Sequence, residues 1–311
     1  MAAAVESMFS VREKPWHGLG TIVMEAPNSG RALKLAGLDW KVIQKNIYTV
    51  SGEEILGYKA NIRDKDNQIL GVVTDRYKVV QNEEAFAFTD SLLGQGVRYE
   101  TAGSLQEGRK VWILAKLPKE YLITGDRVSP YLVFTNSHDG MGAIRVAVTP
   151  IRVVCQNTLN LALSEASRNW STVHIGNVRW KMEEAEKTLF LADKYMNALS
   201  RDIENLQKVK LSDKKVMDYM NRLLPIPENA SDQMRRNICV QRNDLKARYF
   251  EAPDLQQVGK NAYRFINAVS DFGTHAEPLR RTRNYQENLF ERTIKGNKLI
   301  DTAYAMIKEA A

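Results

Sequence analysis

The stretch VRYETAGSLQEGRKVWILAKL, Val97 to Leu117, decides the fold class. Its two arms are rich in β-branched and aromatic residues and flank the turn Gln106-Glu107-Gly108, the signature of a β-hairpin. Along the second arm Val111, Ile113 and Ala115 alternate with Lys110, Trp112, Leu114 and Lys116, which predicts one face toward a core and one toward water. More strands are expected on both sides. Asp39 to Val50 is β-prone, and Tyr58–Arg63 and Gln68–Val73 flank a turn at Asp64-Lys65-Asp66-Asn67. Tyr77–Val80 reads as a short strand. YLVFTNSHDG and AIRVAVTPIRVVCQ read as strands around the turn His138-Asp139-Gly140-Met141-Gly142. One helix is expected from Asn82, with acidic residues in its first turn and Gly94 past its end.

Near residue 177 the texture changes. Trp180–Leu211 places Leu189, Ala192, Tyr195, Met196, Leu199 and Ile203 at three- and four-residue steps, a long amphipathic helix. Further helices are expected at Lys214–Leu224, Leu255–Phe272 and Gln286–Ala310. The chain thus reads as α+β: an antiparallel, hairpin-rich, twisted β-sheet with helices in the N-terminal half, and a helical C-terminal half. The divisions are an arm over 1–30, broken by Pro and Gly, a β-rich core domain over 31–176 and a helical domain over 177–311.

The 311 residues are 44% hydrophobic and 26% charged, near globular averages, which excludes a wholly disordered chain. No apolar run reaches the roughly 20 residues of a membrane helix, and Met1–Arg12 lacks a secretory layout. These features lead us to expect a soluble protein with no membrane partner. Two cysteines, Cys155 and Cys239, build neither a disulfide framework nor a four-thiolate zinc site. The four histidines stand apart with no metal-ligand spacing, and no phosphate-binding glycine loop is present, so neither a metal nor a nucleotide cofactor is expected.

The charge balance, 44 Lys+Arg against 37 Asp+Glu, raises the prospect of a polyanionic partner. Cations cluster in the predicted sheet: Arg76 and Lys78 around Tyr77, Arg109 and Lys110 near Trp112, then Arg145 and Arg152. Single-strand binding asks for cations that follow phosphates and flat rings that accept bases. The competing reading is a solvated sheet face. A second basic run, Arg280-Arg281-Thr282-Arg283, is continued by Arg292, Lys295 and Lys298, with Arg235, Arg236 and Arg242 adding charge. Trp16-His17 in the arm reads as a docking segment.

A different chemistry is also open. Cys155 sits where a strand hands over to a helix, a position that favours a thiolate. His138 and Asn157 are its candidate base and orienting residue for a cysteine-dependent hydrolase; the competing reading is a buried, inert thiol.

Four stretches carry a resemblance: PWHGLG (Pro15–Gly20), ETAGSLQEGRKVWILAKLP (Glu100–Pro118), TNSHDGMGAIRVAVTPIRVVCQNTLNLAL (Thr135–Leu163) and AYRFINAVSDFGTH (Ala262–His275). The chain resembles, from about residue 8 onward, the phage/plasmid-like protein family known as domain of unknown function 932. In outline it is also similar to phage single-strand annealing proteins of the Red beta, RecT and Erf type. That likeness implies ATP-independent single-stranded DNA binding and strand annealing in phage-type recombination. It implies a homo-oligomer, as a ring or helical filament, in the host cytoplasm, with a phage exonuclease or single-strand-binding protein as further partners, and no catalytic residues. In this reading Arg76, Tyr77, Lys78, Arg109, Lys110, Trp112, Arg145 and Arg152 hold the strand. Asn136, His138, Asp139, Asn157 and Asn160 fix turns or touch phosphates. A structural or host-takeover protein that assembles without nucleic acid is the remaining alternative.

Overall fold

The computed structural model describes residues 5–11, 21–23, 28–93, 98–152, 169–279 and 297–310. The α+β class holds, with sheets that are antiparallel apart from the parallel β1–β2 pair, and with helices throughout the chain. The chain divides into two compact units. The first takes Met1–Lys119, Pro130–Val148 and Arg168–Asp193; the second takes Glu120–Ser129, Thr149–Ser167 and Lys194–Ala311.

The larger sheet is built from β1 (Val5–Val11), β2 (Thr21–Val23), β6 (Arg98–Leu105), β7 (Lys110–Lys116), β9 (Asp126–Ser137), β10 (Ile144–Arg152) and β11 (Asn169–Thr172), in the order β11-β10-β9-β7-β6-β1-β2. β8 (Tyr121–Ile123) pairs with the beginning of β9. The β6–β7 hairpin forms where the sequence predicts it. Leu105 lies opposite Lys110, and Gln106, Glu107 and Gly108 all take positive φ to make the turn. A smaller sheet in the order β3-β4-β5 comes from β3 (Val42–Tyr48), β4 (Glu54–Arg63) and β5 (Ile69–Thr74). Its second turn sets Asn67 at φ 58, a conformation asparagine tolerates.

Two helices close the core of the first unit. α1 (Ser29–Leu35) is capped by Asn28, whose side chain accepts from the Arg31 amide at 2.9 Å. It contributes Ala32, while α2 (Asn82–Leu93) contributes Ala85, Phe86 and Phe88. These pack with Phe9, Tyr99, Ile113, Phe134 and Val146 of the large sheet. Tyr77–Val80, expected as a strand, makes only a single bridge, Tyr77 with Ile175.

The second unit is mainly helical, with β8 and the start of β9 giving Ile123 and Val128 to its core. It holds the end of α3 (Val178–Lys208), then α4 (Asp213–Leu223), α5 (Asp232–Phe250), α6 (Ala262–His275) and α7 (Lys298–Ala310). Its core joins Tyr195, Leu199 and Ile203 with Tyr219, Tyr249, Phe265, Ile266, Ile300 and Ile307. α6 is the central helix, buried without a break from Ala262 to Ser270. Arg264 lies within that buried run because its guanidinium donates to carbonyls at the end of α5: Tyr249 at 2.8 Å and, more weakly, Phe250 at 3.4 Å. Helix α6 begins at Ala262 rather than Leu255, because Pro253–Leu255 forms a separate 3₁₀ turn. Helix α5 was not expected from the sequence: it buries only Leu245 and Tyr249, too few positions to print a periodic pattern.

Candidate nucleic-acid interface and the polar core beneath it

The motif Thr135–Gly142 leaves the end of β9 and enters a buried polar network. Asn136 donates to the Val80 carbonyl at 2.9 Å and accepts from the Ser137 amide, which ties the turn to the 76–81 segment. The Asp139 carboxylate accepts from the Ser137 hydroxyl and, at 2.8 Å, from the Met141 amide, an Asx-type turn. From the small sheet, Asn61 donates to the His138 carbonyl at 2.7 Å. Gly71 stands so close that a Cβ there would lie 2.6 Å from the Asp139 Cα.

His138 is fully buried between these elements. Asn82 donates its amide to the Leu38 carbonyl at 3.0 Å, so its Oδ1 faces His138 Nε2 at 3.1 Å and takes the ring N–H. Nδ1 is then bare, and it has no hydrogen-bond partner among the described residues. The edge of Trp40 meets the imidazole with ring centroids 5.5 Å apart. Burial, reinforced by nearby His174, pulls the His138 pKa down to about 3. His174 is buried too, its Nδ1 set 3.0 Å from the Lys78 carbonyl and its ring stacked on Tyr77 at 4.5 Å. Burial lowers its pKa as well. Sequence alone signals none of Asn61, Asn82, Trp40 or His174, since each is an isolated polar or aromatic residue outside any motif.

The expected binding residues sort into three groups. Arg76, Lys78 and Arg109 are exposed, and among the described residues none of them makes an ion pair. One framework gathers them. The Tyr77 hydroxyl donates to the Ser137 carbonyl, the next amide, His138, donates to the Arg109 carbonyl at 2.7 Å, and the Lys78 amide donates to the His174 carbonyl at 2.7 Å. Arg145 is half-exposed at the start of β10, opposite Ser171 of β11.

The second group is buried. Trp112 keeps 4% of its surface and Tyr77 keeps 6%, so neither ring offers a face to a base. The expected alternation along β7 holds for Val111, Ile113 and Ala115, which are buried, against Lys110, Leu114 and Lys116, which are partly exposed, and breaks only at the buried Trp112. Gly103 makes room for the indole, since a Cβ there would sit 2.6 Å from the Trp112 ring. Burial also raises the Tyr77 pKa, with the Asp139 charge adding to it. Lys110 is half-buried and engaged by its neighbours, and Asn136 is buried in the turn.

The third group lies outside the described residues: Cys155, Asn157, Asn160, Trp16, His17, the run Arg280–Arg283, and Arg292 and Lys295. Arg152 has its backbone in β10, but its side chain also lies outside them. The thiol of the hydrolase alternative therefore has no described geometry. Its intended base, His138, is committed through Nε2 to Asn82 and shut off from water. Among the described residues there is no cluster of His, Cys, Asp or Glu fit to hold a metal, and no helix long and apolar enough to cross a membrane.

A family model described as a domain of unknown function (DUF932) matches residues 69–294, nearly three-quarters of the chain, and the chain belongs to that family. The match carries neither a phage or plasmid origin nor a likeness to annealing proteins. No curated protein and no solved structure matches the chain.

Proposed function

From the geometry of the motif turn and the cations around it, we propose that the chain binds single-stranded DNA without ATP and holds it for annealing. The observation that carries this reading is the exposed trio Arg76, Lys78 and Arg109, hung on one hydrogen-bonded framework with no carboxylate paired to any of the three among the described residues. Unneutralised cations on a rigid scaffold attract a polyphosphate and release its counterions. With Tyr77 and Trp112 buried, the contact runs along the backbone alone. Bases carried this way stay open to pair with a second strand, and binding is indifferent to sequence. Several copies along one strand multiply weak contacts. The phage-type setting, the host cytoplasm, a ring or filament of subunits and a partner exonuclease or single-strand-binding protein are the finer part of this proposal.

The test is anisotropy of a labelled oligothymidine across a salt series. The wild type is expected to bind at low salt with affinity that falls linearly on a log–log plot. Arg76→Ala, Lys78→Ala and Arg109→Ala combined should flatten that slope by about 2, at roughly 0.7 per lost phosphate contact on a single strand. No binding at low salt, or a triple variant with the wild-type slope, disposes of the proposal.

A further inference from the structure

Helix α5 carries a row of cations that the fold leaves unneutralised. Arg235, Arg242 and Lys246 fall at helical steps on one stripe of the helix, with the exposed Cys239 between the two arginines. At about 1.5 Å of rise per residue the row is about 16 Å long. Main-chain carbonyls hold two of its members in place. Arg242 donates to the Leu224 carbonyl at 2.9 Å and the Asn221 carbonyl at 3.2 Å, which closes the C-terminus of α4. Arg235 donates to the Glu228 carbonyl at 2.9 Å and the Ala230 carbonyl at 3.2 Å. The row therefore follows the seam between α5 and the connection that leads into it from α4. Arg222, exposed and next to Asn221, adds a further charge at the end of α4.

Bonds to carbonyls fix a guanidinium without cancelling its charge. Among the described residues Arg222, Arg235, Arg242 and Lys246 make no ion pair. Glu228 and Asp232, the acids nearest in the chain to Arg235, pair with none of them, and Asp244 lies on the far side of α5, bound to Arg248 at 2.9 Å. Other cations of this unit do meet carboxylates: Lys260 with Asp213 at 2.7 Å, Lys308 with Asp202 at 3.0 Å and Arg248 with Asp271 at 2.6 Å. The seam departs from that pattern. A line of oriented, uncompensated cations suits an extended polyanion better than a single ion. The row carries no large apolar residue, unlike a helix that lies in a membrane surface, and α5 turns Leu245 and Tyr249 into the core.

We propose that this seam is a second contact for a nucleic-acid backbone, carried by the helical unit and separate from the trio Arg76, Lys78 and Arg109. Arg235, Arg242 and Lys246 meet phosphates spread over roughly five nucleotides of a stacked strand, at about 3.4 Å each, and Arg222 takes a neighbouring phosphate. The row offers no aromatic ring, so the contact is again to the backbone and indifferent to sequence. The inference rests on the single-strand reading for its ligand but uses other residues, so the two fail separately.

Anisotropy of a labelled oligothymidine over a salt series tests it on the full chain. Arg222→Gln combined with Lys246→Gln removes two exposed charges that hold no carbonyl among the described residues. The pair should lower the log–log slope by about 1.4, at roughly 0.7 per contact, in the wild type and again in the triple alanine variant of Arg76, Lys78 and Arg109. Arg235 and Arg242 stay in place because they also tie the connection between α4 and α5, and unchanged far-UV circular dichroism verifies folding. A benzophenone on Cys239, with Cys155→Ser removing the other thiol, should crosslink to the oligothymidine under light. A wild-type slope in the double variant, or no crosslink from Cys239, overturns the inference, and a triple variant that still loses slope then leaves the trio standing. A wild type that binds no oligothymidine at low salt overturns both. Binding to phosphatidylserine vesicles that the double variant loses while its oligothymidine slope is unchanged assigns the seam to a membrane surface and overturns the inference as well.

Discussion

Gly71→Ala is expected to cost the protein about 3 kcal/mol, the upper end for overpacking a formed core. The added methyl would meet the Asp139 Cα at 2.6 Å and its carbonyl oxygen at 2.8 Å, and both are backbone atoms. A side chain in that position swings aside; the main chain of a turn pinned by three hydrogen bonds, one to the His138 carbonyl and two to the Asp139 carboxylate, does not. Asp139 is fixed on one side by the Asn61 bond to the His138 carbonyl and on the other by its own contacts with Ser137 and Met141. The cost is steric, because Gly71 does not occupy the left-handed region. For a unit of this size the loss corresponds to a melting temperature lower by roughly 10 °C. Gly30→Ala makes the control. It adds the same methyl inside helix α1, where the nearest atom is 3.9 Å away, and should be neutral or mildly stabilising. Thermal unfolding of the two variants beside the wild type decides the matter. A Gly71→Ala melting point within 2 °C of wild type would mean that the small sheet does not clamp the motif turn.

That clamp also explains what the sequence could and could not reveal. Hairpins were legible because their turns are written in local chemistry: Asn67 and Gly108 are residue types that accept the positive φ they adopt. The long helix α3 was legible because Tyr195, Leu199 and Ile203 repeat at helical steps and all face one core. Trp112 was misread for a physical reason. Period-two alternation marks a side of the strand, not the exposure of each residue on it: Lys110, Leu114 and Lys116 stay partly exposed, while the Trp112 ring on the same side packs over Gly103 and is buried. The same limit applies to the site. A polar residue in a turn, such as Asn136 or His138, reads as exposed until a second segment arrives from far along the chain to bury it. Asn61 arrives from 77 residues away and Asn82 from 56. Arg76 and Lys78 are exposed as expected, but Tyr77 between them, read as a ring for bases, turns inward onto His174 and the Ser137 carbonyl, partners 97 and 60 residues away.

Burial of His138 makes stability pH-dependent in a predictable direction. Its folded pKa is lowered to about 3, against about 6.5 for the unfolded chain, so between these values the unfolded chain binds a proton that the folded protein refuses. The associated stability is fully present above pH 6.5 and is lost progressively as the pH falls toward 3. The rate is about 1.4 kcal/mol per pH unit, or about 2 kcal/mol by pH 5. The cause is visible in the bonding. With Nε2–H given to Asn82, the incoming proton must go to Nδ1, which has no acceptor within reach among the described residues. His174, lowered by burial in the same way, works in the same direction. His138→Gln keeps an amide that can donate to the Asn82 Oδ1 yet does not titrate, so it should remove much of the acid sensitivity while leaving the pH 7 stability near wild type. Urea unfolding at pH 7 and pH 5 measures both. Equal midpoints for the wild type, or an undiminished difference in His138→Gln, would show that the imidazole is not the group that acid must charge.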